Sequence, residues 1–167
     1  MLPGYVSHQR GIGRGTTPMI HYRGADIREA LAGLAGVAGG SGEAGDPYEG
    51  ITLNFVNPVN GAPVFPTLAY SAQLLRRGQE TRLKRETAST MYVAIEGRGA
   101  TEIAGRRFDW EENDIFVVPN FLWRRHVNTG TTDAVLYAVS DAPLMEKVGQ
   151  YRAQGRTEDG AVENLVA

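Results

Sequence analysis

The sequence predicts an all-β domain, a sandwich or barrel of short strands, with one short helix before it and another after it. The first observation is a series of short segments rich in β-branched and aromatic residues between Ile51 and Ser140. Glycine, proline and asparagine turns separate them at short, even intervals, which is typical of a sandwich or barrel. The second observation is length, because 167 residues with 42% hydrophobic residues suffice for one globular core and not for two.

The region before the first strand divides into three parts. Residues 1–24 are rich in glycine, arginine and threonine without periodicity, so we expect an arm. From Ala25 to Ala35 the pattern predicts a short helix with Asp26 as its cap. Its apolar residues recur at i, i+3, i+4 and i+7, on one face: Ile27, Ala30, Leu31 and Leu34. The glycine-rich residues 36–46 predict a flexible linker.

Nine segments are predicted to be strands. They are Ile51–Val56, Ala69–Leu75, Thr81–Thr87, Thr90–Glu96, Ala100–Ile103, Arg107–Trp110, Ile115–Val118, Arg124–Asn128 and Ala134–Ser140. A short helix with Pro143 in its first turn follows, so the predicted barrel with its closing helix covers residues 47–151. The polar residues 152–167 are predicted to form a flexible tail.

Composition excludes several kinds of site and partner. The chain has no cysteine, which excludes disulfides, thiolate metal ligands and cysteine nucleophiles. A net charge of -2 gives no electrostatic footprint for nucleic acid. The sequence has neither a long apolar run nor a signal peptide, so we expect no membrane partner and a cytoplasmic location.

The segment from Gly78 to Gly97 has the spacing of a metal-binding motif but not its ligands. After the first glycine come five residues, a first ligand position, one spacer, a second ligand position and, four residues later, a third. A His-x-His pair and a glutamate would fill these positions in a metal site. Here they hold Lys84, Glu86 and Thr90.

A second segment, further along the chain, also has the spacing of a metal-binding motif without its ligand. Asp114 is followed by Pro119 after five residues and by Arg124 after five more. A metal-binding version would have a glycine in place of Asn113 and a histidine in place of Arg124. The two spacings together resemble the two motifs of the cupin family, which implies a double-stranded β-helix, or jelly-roll, barrel.

A narrower resemblance covers the chain from about Thr17 to about Tyr151. The segments that carry it are Asp46-Pro-Tyr-Glu-Gly50, Asn57-Pro-Val-Asn-Gly61, Pro63-Val-Phe-Pro66-Thr, Gln73-Leu-Leu75, Thr87-Ala-Ser-Thr90, Phe116-Val-Val-Pro119 and Ser140-Asp-Ala-Pro143. They resemble the C-terminal cupin domain of gentisate 1,2-dioxygenase and its salicylate and 1-hydroxy-2-naphthoate relatives. The resemblance implies a family of two-barrel enzymes that open an aromatic ring with Fe(II) and dioxygen. It also implies that the iron is generally held in the other, N-terminal barrel.

The residues at the ligand positions predict that this barrel has no metal cofactor. On a strand Lys84 and Glu86 lie on one face, roughly 7 Å apart, and only Glu86 is able to coordinate. Two cations, Lys84 and Arg124, beside one carboxylate repel a divalent ion. His126, two residues beyond Arg124, adds one imidazole, and Glu86 with His126 makes only a weak candidate pair for a metal.

The same residues allow two interpretations without metal. Arg82, Lys84 and Arg124 form a positive pocket for an organic anion such as an aromatic carboxylate. Alternatively, Glu86 forms ion pairs with both Lys84 and Arg124, and no unpaired charge remains to bind an anion. His126 is expected to be a hydrogen-bonded core or pocket residue, and His8 and His21 are expected to be solvated in the arm.

Two functions follow from these expectations. The first is an accessory, structural or anion-binding cupin without its own metal, in a homodimer or with a partner cupin chain. The alternative is an Fe(II)-dependent dioxygenase that cleaves gentisate or a related hydroxylated aromatic acid, alone or with a catalytic partner chain. We expect no activity from this chain alone.

Overall fold

A computed structural model of the chain describes residues 5–7, 16–18, 21–40, 45–58 and 60–166. Within these ranges the helices are α1 (Gly24–Gly40) and α2 (Ala142–Lys147). The strands are β1 (Tyr5–Ser7), β2 (Thr16–Pro18), β3 (Ile51–Phe55), β4 (Ala69–Leu75), β5 (Lys84–Glu86), β6 (Thr90–Glu96), β7 (Arg98–Ile103), β8 (Arg106–Glu111), β9 (Ile115–Val118), β10 (Arg124–Asn128), β11 (Ala134–Ser140), β12 (Ala153–Arg156) and β13 (Val162–Asn164).

The strands form two main antiparallel sheets and a separate two-stranded pair, β1-β2. One main sheet has the order β13-β12-β5-β10-β7-β8 and the other the order β3-β4-β11-β6-β9. Most neighbours in each sheet are not consecutive in the chain, as a jelly roll requires. The predicted all-β jelly-roll barrel with flanking helices is confirmed, and β4, β6, β9, β10 and β11 have the bounds expected from the sequence.

The hydrophobic core is divided between the inside and the outside of the barrel. Between the two main sheets, Leu75, Tyr92 and Leu136 of the five-stranded sheet pack with Trp110 of the six-stranded sheet. On the outer face of the five-stranded sheet, Leu31 of α1 packs with a second group of buried residues: Ile51, Phe55, Ala72, Leu74 and Val135. Helix α1 therefore belongs to the folded domain and is not merely part of a linker.

Helix α1 differs from its predicted bounds at both ends. It begins at Gly24, so Asp26 lies inside the first turn, where its carboxylate accepts hydrogen bonds from Arg23 rather than capping the helix. It continues to Gly40 through residues predicted as linker. Glycine lowers the stability of a helix, but it adopts helical dihedral angles without a steric clash. The buried side of the helix carries Leu31 with Ile27 beside it, while Leu34 is 43% exposed.

The predicted flexible tail is wrong for residues 153–164. Strand β12 pairs with β5, and β13 pairs with β12, so these residues extend the six-stranded sheet. The polar composition was misleading because a strand on the surface of the barrel needs only one buried face, and in β12 Ala153 and Gly155 provide it. Both are small, and Gly155 allows the ring of Tyr48 to lie directly against the backbone.

None of the helices in the described part of the chain has the length and the apolar composition needed to span a membrane.

The substitution Gly155→Val is expected to lower the free energy of unfolding by about 2 kcal/mol, because it overpacks a tight contact. A Cβ at this position would lie 2.3 Å from Cζ of Tyr48. Urea denaturation followed by circular dichroism measures the change. The control is Gly33→Ala in α1, where an added Cβ meets nothing within 4 Å and the protein should become slightly more stable. Equal stability of the Gly155→Val variant and the wild type would contradict the packing described here.

Candidate functional site

The candidate site is a polar cavity of about 420 Å³ between the two main sheets, at the end of the barrel opposite the apolar core. One wall is formed by charged residues of the six-stranded sheet, Lys84, Glu86 and Arg124. The facing wall carries small inward side chains of the five-stranded sheet: Ala69, Ser71, Thr90, Ala138 and Ser140.

Strand register explains why the cavity forms at this end. Ser140 of β11 lies between Ala69 of β4 and Thr90 of β6, so three small side chains stand at one level of the wall. At the other end of the same sheet Leu75 and Leu136 face inward and fill the space. The change from large to small inward residues along β4 and β11 therefore creates the cavity.

The charged wall is built on two neighbouring strands. Lys84 of β5 pairs in register with Arg124 of β10, and Glu86 follows Lys84 on the same face of β5. Their side chains are largely buried, with exposed fractions of 3% for Arg124, 11% for Glu86 and 13% for Lys84. The structure thus brings together three of the residues predicted from the motif spacing.

A fourth charged residue, Glu49, completes the wall and was not predicted. It lies in the turn before β3, where Asp46 Oδ1 accepts hydrogen bonds from the backbone N–H groups of Tyr48 (2.8 Å) and Glu49 (2.9 Å). Gly50 closes this turn with a φ of +72°. The turn directs the Glu49 carboxylate into the barrel, where its Oε1 accepts from Lys84 Nζ at 2.5 Å and from Arg124 Nη2 at 2.7 Å.

Glu86 binds the same two cations from the other side. Its Oε2 lies 3.3 Å from Lys84 Nζ, and its Oε1 lies 3.5 Å from Arg124 Nη2. The phenol of Tyr151, which follows α2, donates a hydrogen bond of 2.8 Å to Glu86 Oε2. Each cation therefore lies between two carboxylates, and the four charges form a closed network.

The network sets the protonation of its members. Burial alone would raise the pKa of Glu49, but the guanidinium of Arg124 and the ammonium of Lys84 outweigh it and lower that pKa to about 2. Burial alone would lower the pKa of Arg124, but Glu49, Tyr92 and Glu86 raise it above its ordinary value. Both residues are charged at neutral pH.

His126 lies beneath the network as a buried core residue, as expected, and is 0% exposed. Arg124 Nη1 lies 3.4 Å from His126 Nε2, and arginine has no acceptor, so Nε2 accepts and the proton is on Nδ1. That Nδ1 donates to Thr101 Oγ1 at 2.8 Å, and Trp110 Nε1 donates to the same oxygen at 3.0 Å. Burial and the neighbouring Arg124 lower the pKa of His126 to about 3, so the imidazole is neutral.

The positions of the possible metal ligands are given by the described residues. In residues 21–40, 45–58 and 60–166 no group of three or more His, Cys, Asp or Glu side chains is placed to hold one. Glu86 and His126, the weak candidate pair, both contact Arg124, which uses the Nε2 lone pair of the imidazole. Thr90, at the third ligand position, is a buried residue of the small-residue wall.

The expected positive pocket is wrong in two respects. Arg82 is not in the cavity, because it precedes β5 and its backbone N–H donates to the Pro47 carbonyl. Its side chain forms an ion pair with Glu158 on the surface. The cavity also holds more negative than positive groups, since Lys84 and Arg124 face three carboxylates: Asp46, Glu49 and Glu86. Of the two histidines expected in the arm, His21 is exposed, and His8 lies outside the described residues.

Two site residues that the sequence analysis missed lie outside the regular strands. Glu49 belongs to a turn, so strand alternation gives no direction for its side chain, although the Asp46-Pro-Tyr-Glu-Gly50 segment carries a turn signal. Tyr151 follows α2 and is the last residue of the range 47–151 predicted for the barrel with its closing helix. No sequence pattern predicts that its phenol reaches Glu86.

Comparison with known proteins gives relatives of one kind. No protein-family model matches the chain. It is 42% identical over 114 residues to 5-aminosalicylate 1,2-dioxygenase of Comamonas sp, which covers 68% of this chain and 30% of that protein. It is 32% identical over 144 residues to gentisate 1,2 dioxygenase 1 of Aquipseudomonas alcaligenes, covering 86% of this chain and 39% of the relative. The chain thus spans about a third of the length of these relatives.

Solved structures agree in fold. Salicylate 1,2-dioxygenase of Pseudoaminobacter salicylatoxidans, in its adducts with gentisate, superposes with a TM-score of 0.74 at 30% identity, over 82% of this chain and 37% of that one. The cupin domain of Schizosaccharomyces pombe Cnp3 superposes with a TM-score of 0.50 at 15% identity, over 59% of this chain and 64% of that one, which concerns the fold alone. The chain has the cupin fold, as the motif spacing indicated, and resembles part of the gentisate-type 1,2-dioxygenases, as the sequence segments that carry that resemblance implied.

The substitution Glu49→Gln is expected to lower the free energy of unfolding at pH 7 by about 3 kcal/mol, because it leaves Lys84 and Arg124 short of one buried negative charge. Chemical denaturation measures the change. The control is Asp109→Asn, which breaks an ion pair with Arg107 whose side chains are 56% and 75% exposed, and should cost less than about 1 kcal/mol. Similar losses for the two variants would mean that the network contributes no more than a surface pair.

The stability of the protein is expected to fall as the pH is lowered below about 6.5. The folded pKa of His126, about 3, lies below the ordinary 6.5, so between these values the unfolded chain binds a proton that the folded chain does not. The loss is at most about 1.4 kcal/mol per pH unit from this group. The depressed pKa of Glu49 adds a further loss from 4.5 towards about 2.

Urea denaturation at pH 7, 6 and 5 tests this dependence, with His126→Gln as the comparison. The variant should be less stable at pH 7 and should show a flatter profile between pH 6.5 and 5. Parallel profiles for the two proteins would show that His126 is not the group responsible.

Proposed function

We propose that this cupin is a metal-free barrel that acts as a structural, non-catalytic module of a gentisate-type dioxygenase system. The observation that carries the proposal is the position of Lys84 Nζ, which lies 2.5 Å from Glu49 Oε1 and 3.3 Å from Glu86 Oε2. The ammonium of Lys84 occupies the place between two carboxylates that a metal ion would otherwise take.

The energetics of the network support the absence of a metal. A divalent ion between Glu49 and Glu86 would have to displace Lys84 and leave its ammonium inside the barrel without a partner. An uncompensated charge of this kind costs several kcal/mol in a protein interior. Arg124, which is 3% exposed and bonded to both carboxylates, adds a second positive charge that has no other place to go.

The donor set also does not fit iron of the non-haem type. Such a site needs neutral imidazoles and carboxylates that converge with open positions for substrate and oxygen. In this cavity the available carboxylates already bind cations, and the Nε2 lone pair of the nearby imidazole accepts from Arg124. We therefore derive no oxygen chemistry from this barrel.

A structural role is supported by what the network connects. Glu49 comes from the turn before β3, Lys84 and Glu86 from β5, Arg124 from β10, and Tyr151 from the segment after α2. Their bonds join both main sheets and the C-terminal segment around one enclosed set of charges. Such a network makes the barrel a rigid unit without a bound ligand.

The partner in this proposal is a catalytic barrel, on a second chain or on a further part of a longer one. The support is that the dioxygenases it resembles are about three times the length of the matched region. The alternative, Fe(II)-dependent cleavage of gentisate or a related acid by this barrel itself, is favoured by the 42% identity to 5-aminosalicylate 1,2-dioxygenase. The aromatic carboxylate ligand is not proposed for the barrel cavity, because its two cations, Lys84 and Arg124, are largely buried and already paired with carboxylates.

Metal analysis separates the two functions. The protein, purified without oxygen, incubated with excess Fe(II) and then freed of loose metal, is expected to retain far less than one iron per chain by mass spectrometry. It is also expected to give no ring-cleavage absorbance with gentisate. Near-stoichiometric iron together with turnover of gentisate would overturn the proposal.

A matched gain-of-binding variant makes the negative result informative. In Lys84→His/Arg124→His, two cations become neutral imidazoles beside Glu49 and Glu86, and this set of donors suits a divalent ion. The variant should retain Co(II) after dialysis and show its visible absorbance, while the wild type should not. Equal retention by both proteins would mean that the two cations do not prevent metal binding.

A further inference from the structure

A second cavity, of about 520 Å³, lies outside the barrel between α1 and the outer face of the five-stranded sheet. Its size is within the range of pockets that bind small molecules. Most of its lining is aromatic or aliphatic, and its phenyl and phenol rings come from five residues: Tyr22, Phe55, Phe65, Tyr70 and Tyr137, with the imidazole of His21 also in the lining. It shares no lining residue with the charged cavity inside the barrel.

The packing of α1 explains why this space exists. Leu31, 1% exposed, anchors the helix over Ile51, Ala72 and Val135, at one side of the sheet face. The neighbouring outward positions hold large rings that the helix does not cover fully, while Ala72 between them is small. A pocket with an aromatic wall and an aliphatic floor results.

The rings form a continuous wall. Tyr22 stacks on Phe55 with centroids 4.9 Å apart, and Phe55 lies 5.8 Å from Tyr137. Tyr70 stacks on Tyr137 at 6.2 Å, and Phe65 lies 5.8 Å from Tyr70. Tyr22 is fixed by a hydrogen bond from its phenol to the Val56 carbonyl. Ring separations of this size are those of stacked and tilted aromatic pairs, so a planar ring inserted beside them gains the same contacts.

A few polar groups stand in or at the edge of this apolar pocket. The phenols of Tyr70 and Tyr137 make no hydrogen bond within the part of the chain that the structure describes, so both are able to donate to a ligand. Arg28 lines the pocket from α1, where it pairs with Glu96 in an ion pair with exposed fractions of 62% and 36%. An exposed pair of this kind is weak, so Arg28 is able to exchange Glu96 for a ligand carboxylate.

We propose that this outer pocket binds a small planar aromatic monocarboxylate, with its rings against Phe55, Tyr70 and Tyr137 and its carboxylate towards Arg28. The aromatic wall favours a flat, apolar ligand, and the phenols and the guanidinium favour a ligand that carries a hydrogen-bond acceptor. The proposal does not depend on whether the barrel holds a metal, because the two cavities have separate walls.

The probe is 2-naphthoate, titrated into the full chain in a calorimeter at pH 7.5. Saturable binding at one site per chain is expected. Val64→Trp, which fills the pocket from the loop that follows β3, should weaken the affinity by about tenfold or more, the equivalent of about 1.4 kcal/mol. Tyr137→Phe, which keeps the ring and removes the phenol, should weaken it roughly threefold to tenfold.

Two control variants locate the site. Val117→Trp places the same large ring at a residue that is 54% exposed and does not line the pocket, and it should bind 2-naphthoate as the wild type does. Lys84→Met changes only the barrel cavity and should also leave the affinity unchanged. Circular dichroism and the unfolding midpoint show that each variant is folded, and Tyr137→Phe remains a test if Val64→Trp is not.

Three results would overturn the proposal. The first is the absence of saturable binding to the wild type. The second is unchanged affinity in folded Val64→Trp or in Tyr137→Phe. The third is loss of binding in Lys84→Met with no effect of the outer-pocket variants, which would assign the ligand to the barrel cavity.

Discussion

The structure depends on the mutual neutralisation of four charges enclosed between two sheets. Lys84 and Arg124 lie on adjacent strands with side chains that are only 13% and 3% exposed, so the fold must supply carboxylates to them. Glu86 comes from the same strand as Lys84, but it lies more than 3 Å from both cations, and the shorter bonds are those to Glu49. The turn at Asp46–Gly50, the position of Tyr151 and the buried imidazole of His126 are all arranged around that requirement.

The two ends of the barrel differ in the size of their inward side chains, and the inner and outer faces of the five-stranded sheet differ in what covers them. Large apolar residues such as Leu75 and Leu136 fill the end away from the charges, and small residues leave the other end open. On the outer side, α1 covers one part of the five-stranded sheet and leaves an aromatic pocket beside it. One sheet therefore contributes to two cavities of opposite character, because inward and outward residues alternate along its strands.

Much of this was predictable, and the failures have physical reasons. Five of the nine predicted strands, β4, β6, β9, β10 and β11, have the predicted bounds, and the motif spacing placed Lys84, Glu86 and Arg124 together. Glu49 was missed because a turn residue has no periodicity to orient it, and Arg82 was misplaced because β5 begins three residues later than the pattern suggested. Residues 153–156 were missed because a short polar strand is recognisable only by the strands it joins. Helix α1 extends beyond its predicted end because glycine is a poor but permitted helical residue.

The hydrogen bonds below Arg124 limit how such a site is able to change in evolution. Trp110, Thr101 and His126 form a chain that ends on the guanidinium, so Arg124 is held from beneath as well as by the carboxylates in front of it. Any mutational route between this network and a metal centre must alter both cations, and a protein that has changed only one of them carries an unbalanced interior charge. Such a protein is expected to be less stable than the present one. We therefore expect the residues at positions 84 and 124 to change together in evolution rather than one at a time.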